Sequence, residues 1–163
     1  FVIDTNFKVT QTGAATSLTI NGTARSSDTY NIHGPLSNWL KSDRLSYQLQ
    51  RGSQTASLTL TGVDIQSEGT MTGYSVGIAE TAAFSFPALS GNGAITTLTP
   101  IAVSSSGSVI SGKIKLAGNG SSQYLTFLGN DTVKVETDTN NDGQIDLTNT
   151  TTLTALNAAA WQQ

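Results

Sequence analysis

Residues 109–136 read VISGKIKLAGNGSSQYLTFLGNDTVKVE, and their spacing decides the fold. Ile110, Ile114 and Leu116 lead to Asn119-Gly120, Leu125 and Phe127 lead to Gly129-Asn130-Asp131, and Val133 with Val135 follow. Apolar residues at every second position mark a strand with one buried face, whereas a helix would space them by three and four. Asn-Gly accepts the positive φ of a type I′ turn, whose twist suits a hairpin. The segment predicts a three-stranded antiparallel meander.

The same period runs outward in both directions. Phe1, Ile3, Phe7 and Val9 alternate in the first segment, then Leu18 with Ile20, and Leu45, Tyr47 and Leu49. Ala56, Leu58 and Leu60 continue it, then Tyr74, Val76 and Ile78, then Phe84 and Phe86. Turn chemistry at Asn21-Gly22, Gly34-Pro35, Gly52, Gly62, Gly91-Asn92-Gly93 and Ser104–Gly107 divides these runs into about ten strands. The expectation is an all-β chain, one β-sandwich domain over residues 1–163, with Greek-key or jelly-roll-like connections between two packed sheets. Helix is confined to one turn over Pro35–Lys41, around Trp39, and to the Ala-rich Ala155–Trp161.

Composition narrows the class. Of 163 residues 44 are Ser or Thr, against 19 that are Asp, Glu, Lys or Arg, so hydroxyls and amides make most of the surface. That balance suits a secreted or cell-surface β protein. Cysteine is absent, so no disulfide staples the fold. Basic residues are missing between Gly52 and Gly112, which argues against a nucleic-acid footprint. No apolar run reaches the roughly 20 residues of a membrane span. The start at Phe1, without Met or signal peptide, is what export processing leaves, and what a trimmed chain would show as well.

One stretch carries specific chemistry. Asp138, Asn140, Asp142 and Asp146 place side-chain oxygens at positions 1, 3, 5 and 9 of a loop with Gly143 at position 6 and the Gln144 carbonyl at position 7. Calcium takes six to eight hard oxygen ligands, and alternate residues of a tight loop can supply them. The segment resembles an EF-hand loop, and more closely the DxDxDG loops of bacterial extracellular proteins. The resemblance implies bound Ca2+ in a structural role, with Ile145 packing the loop onto the core. It departs from the EF-hand at position 12, where Asn149 stands in place of Glu, and strands flank it instead of helices. An empty Asn/Asp/Gly turn is the competing reading, because these residues also favour turns for backbone reasons.

Catalytic patterns are missing. His33 is the sole histidine, beside Gly34-Pro35, and no Gly-x-Ser-x-Gly motif selects one of the nineteen serines to join it with Asp28 or Asp43. Asp64, Glu68 and Glu80 show no paired spacing and read as solvated loop acids. A non-enzymatic chain is expected.

Two roles remain. In the first, the chain is a structural subunit of an extracellular filament or surface assembly. The N-terminal segment, residues 1–12 with Phe1, Ile3, Phe7 and Val9, completes a neighbour's sheet by strand addition, as in donor-strand pilins, and self-association gives a homopolymer. In the second, it is a calcium-stabilised carbohydrate-binding or adhesin module that contacts glycans through Tyr30 and Trp39.

Overall fold

A computed structural model describes residues 2–12, 16–29, 36–70, 73–78, 82–86 and 91–159. The strands are β1 (Val2–Thr12), β2 (Thr16–Thr29), β3 (Leu36–Arg51), β4 (Gln54–Thr70), β5 (Gly73–Ile78), β6 (Ala82–Phe86), β7 (Gly91–Ser104), β8 (Val109–Gly118), β9 (Ser121–Gly129), β10 (Thr132–Asp138) and β11 (Leu147–Thr152), followed by helix α1 (Leu153–Ala159). The chain is all-β, as expected, with antiparallel pairing throughout. Its strands follow chain order along one sheet from β1 to β11, an up-and-down meander with no Greek-key crossing among the described residues. β5 and β6 fill one lane between β4 and β7: they share one register against β7 and differ by one residue against β4.

The meander of residues 109–136 forms as its spacing predicts. Asn119 and Gly120 have φ of 51° and 75°, the left-handed pair a type I′ turn requires. Gly129, Asn130 and Asp131 are left-handed in succession, and the register shifts beside them between Thr132 and Val133.

Several glycines that read as turns lie within strands instead. Gly22 sits in β2, Gly62 in β4, and Gly91-Asn92-Gly93 opens β7. For Gly22 and Gly62 the reason is a crease that crosses the sheet. The β2–β3 register shifts between Gly22 and Arg25, Gly62 takes φ of 64°, and β7 shifts against β8 between Thr97 and Val103. Gly62 allows a backbone turn that a Cβ would strain, and bulges bend and twist their strand. The backbone groups freed at the crease are re-bonded by Ser42, whose buried hydroxyl donates to the Thr23 carbonyl and accepts the Arg44 amide at 3.2 Å.

The core gathers along this crease. Leu45, Val63 and Ala82 are almost fully buried, with Leu40, Tyr47, Leu60, Ile65 and Ile95 packed around them. Asp64 is buried there too, paired with Lys41 at 2.7 Å, so it is neither solvated nor in a loop. Glu68 likewise belongs to β4, while Glu80 lies outside the described residues. The Pro35–Lys41 helical turn is not formed, because Leu36–Lys41 is the start of β3, held by β2 and β4 on either side. Tyr74, which keeps phase with core positions in the sequence, is 45% exposed.

At the C-terminus α1 occupies the Ala-rich stretch. Thr152 caps it by accepting the Ala155 amide at 2.9 Å, and Asp131 accepts the Thr154 amide at 3.2 Å. The accessible surface is 10199 Å², whereas a compact monomer of 16.9 kDa exposes about 7,700 Å². One sheet with a short buried crease leaves much of both faces open to solvent.

Candidate functional site

The Asp138–Asp146 loop begins where β10 ends. Asp138 is the last β10 residue, paired with Ser122 of β9, and only 1% of it is exposed. Burying a carboxylate this deeply requires donors, and the loop supplies them. Asp138 Oδ1 accepts the Asp142 amide at 3.2 Å and Oδ2 accepts the Gly143 amide at 2.9 Å. Asn141 and Gly143, at φ of 60° and 89°, turn the backbone so that these amides face inward. Asp142 accepts the Gln144 amide at 2.8 Å and the Asn140 side-chain amide at 3.0 Å, while Asn140 Oδ1 accepts the Asp142 amide at 3.1 Å. The buried Ser122 hydroxyl ties the loop to β9 by donating to Asn141 Oδ1 at 2.7 Å.

A second clasp closes the loop. Asp146 Oδ2 accepts the Thr139 amide at 2.7 Å and the Thr139 hydroxyl, and the Asp146 amide donates to the Thr137 carbonyl at 2.9 Å. The hydroxyl and then the amide of Thr139 hold the Asp146 carboxyl below the usual carboxylate range. Ile145 does not pack the loop down: it is 43% exposed, since the Asp138 and Ser122 hydrogen bonds already anchor the turn.

Three acids thus share nine residues, and among the described residues no Lys or Arg pairs with them. Their carboxylates do not converge as a ready-made cluster, because the loop amides occupy part of their lone pairs. The donor chemistry fits a hard cation: every carboxylate oxygen except Asp146 Oδ2, which accepts both Thr139 donors, keeps a lone pair, and Asn140 and the Gln144 carbonyl add neutral oxygens. Position 12 contributes nothing further, since Asn149 Oδ1 accepts the Thr150 amide at 2.8 Å. Those five residues fall short of the six to eight ligands calcium takes, and water would complete the shell.

That Asn149 contact belongs to the sheet edge. The Leu153 amide donates to the Asp131 carbonyl at 2.9 Å, in phase with the β10–β11 ladder. The odd-numbered amides of β11 therefore face β10, and those of Thr148, Thr150 and Thr152 face outward. β11 (LTNTTT) carries no charge, proline or bulge, and five of its six residues are exposed. At the other edge β1 pairs with β2 of its own chain from Val2 to Thr12. Ile3, Phe7 and Val9 are positions within that strand, while Phe1 lies outside the described residues.

Of the proposed aromatic pair, Trp39 alone belongs to the described residues. Trp39 is half-buried in β3 with the Lys41 ammonium 5.9 Å from its ring, and Tyr30 and His33 lie outside the described residues. Sequence reasoning missed a second cluster, where Lys113, Lys115, Tyr124, Lys134 and Glu136 meet on β8, β9 and β10. The alternation of Lys113 and Lys115 with Ile114 and Leu116 was its signal.

Compared with protein-family models, curated proteins and solved structures, the chain matches none of them significantly.

Proposed function

We propose that the chain is a non-enzymatic structural subunit of an extracellular filament or surface assembly, joined to its neighbours by strand addition and stabilised by calcium in the Asp138–Asp146 loop. The observation that carries this reading is the outer edge of β11, uncharged and exposed, with the Thr148 and Thr152 amides facing outward. Edge strands in proteins that stay monomeric are usually blunted by charge, proline, a bulge or a cover. Among the described residues the blunting amounts to Asn149, which satisfies one outward amide.

β1 is the complementary edge. Its eleven residues are held on one side by β2, and the N-terminal segment acts either by offering its open side to β11 of the next copy or by exchanging into that copy's sheet. An edge-to-edge contact between different strands is heterologous and propagates unless it closes into a ring. Calcium would offset the charge of Asp138, Asp142 and Asp146 beside β11 and stiffen the loop that leads into it.

Thr150→Pro tests the proposal. Proline is tolerated at an edge position whose amide faces away from the ladder, so stability should change by about 1 kcal/mol or less. The variant should keep its melting temperature and lose assembly in sedimentation. Undiminished assembly would remove β11 from the contact.

A further inference from the structure

Lys113, Lys115 and Lys134 are the only basic residues between Gly52 and the C-terminus, and the meander puts all three on one face. In register, Lys115 pairs with Tyr124 and Tyr124 with Glu136, while Lys113 pairs with Thr126 and Thr126 with Lys134. Two adjacent rungs of three strands hold the cluster. The Lys113 and Lys115 ammonium groups stand 5.2 Å and 5.4 Å from the Tyr124 ring centre. Glu136 pairs with Lys134 at 2.8 Å and Lys113 at 3.4 Å, and it is the single acid against three cations.

Two features make this face more than a self-contained ion-pair group. Lys115 has no carboxylate partner among the described residues, so the cluster keeps uncompensated positive charge on a chain whose net charge is −3. On the same rungs β11 contributes the exposed Thr148 and Thr150.

We infer that this face binds an acidic polysaccharide, with Lys113, Lys115 and Lys134 holding carboxylates and the Tyr124 and threonine hydroxyls meeting sugar hydroxyls. Charge complementarity selects the sign of the ligand. The neighbouring groups select its class. The cluster's single aromatic ring, Tyr124, is already engaged by two ammonium groups and offers no free platform for stacking a base, whereas the exposed Thr148 and Thr150 hydroxyls match a hydroxyl-rich polymer. The inference does not depend on assembly.

The test is binding of the full chain to an oligogalacturonate in calcium-free buffer, beside its methyl ester and a single-stranded oligonucleotide of equal charge. The acidic oligomer should bind, bind less as salt rises, and bind about tenfold more weakly to the Lys115→Gln/Lys134→Gln variant. Lys115→Gln alone, which removes no ion pair, should weaken binding about threefold and covers the case where the double variant does not fold. No binding, equal binding of the ester, unchanged binding by a folded variant, or tighter binding of the oligonucleotide would overturn the inference.

Discussion

Replacing Asp138 separates what the loop does as a turn from what it does as a metal site. In Asp138→Ala the Asp142 amide keeps Asn140 Oδ1 at 3.1 Å, but the Gly143 amide loses its acceptor. A hydrogen bond to a charged group contributes about 1.5–3 kcal/mol. Relief of the carboxylate's burial offsets part of that loss. The cost in chelator is therefore about 1–3 kcal/mol. With calcium at a hundred times its dissociation constant, a bound ion adds about 2.7 kcal/mol to the wild type, and the variant forfeits it. At about 2–4 °C per kcal/mol for a domain of this size, calorimetry should show a loss of about 2–12 °C in chelator and a further 5–11 °C in calcium. Asp138→Asn retains an acceptor for Gly143, so it should lose little in chelator and most of the calcium increment. A wild type indifferent to calcium, with equal losses under both conditions, would refute the metal reading and leave a self-bonded turn.

Other perturbations test the fold around the loop. Leu45→Ala removes a large side chain from the crease, where it is 2% exposed, and should cost about 2–5 kcal/mol by denaturant unfolding. Gly22→Ala drives a Cβ against the Arg44 carbonyl and Leu45 Cδ2, and should cost about 1–3 kcal/mol. Gly62→Ala meets open space and should cost only the left-handed strain of about 1–2 kcal/mol. Acid titration reports on two carboxyls. The Lys134 hydrogen bond holds Glu136 below the usual range against the effect of burial, with Lys113 adding to it, and Thr139 does the same for Asp146. Folded pKa values lie below unfolded ones, so both contributions are complete above about pH 4.3 and are lost as pH falls through the depressed values. Lys134→Met should move the Glu136 titration upward by NMR; an unmoved titration would show that the Lys134 contact is not what lowers it.

Strand identity was legible because period two survives wherever one face is buried, and Asn119-Gly120 announced its turn through residues that tolerate positive φ. Connectivity was not legible. Alternation says which face of a strand is apolar but not which strand lies beside it, and a meander and a Greek key share that pattern. Glycine misled for a related reason. At Gly22 and Gly62 it serves a bend inside long strands, which in sequence looks the same as a turn between short ones. Trp39 and Leu40 resemble a helical turn until β2 and β4 bracket them. In the loop, the spacing of Asp138, Asp142 and Gly143 identified the residues that hydrogen-bond to one another. It did not reveal that Asn149 caps the sheet edge, because that contact depends on which amides of β11 face outward.

Electron microscopy of the concentrated chain, in calcium and in chelator, tests the central claim most directly. Addition of β11 to β1 of the next copy predicts regular fibres whose sheets continue across subunits at the strand spacing of about 4.8 Å, shorter or absent in chelator and absent for Thr150→Pro. Dispersed particles at every concentration in both conditions would contradict a structural subunit that assembles through its edges.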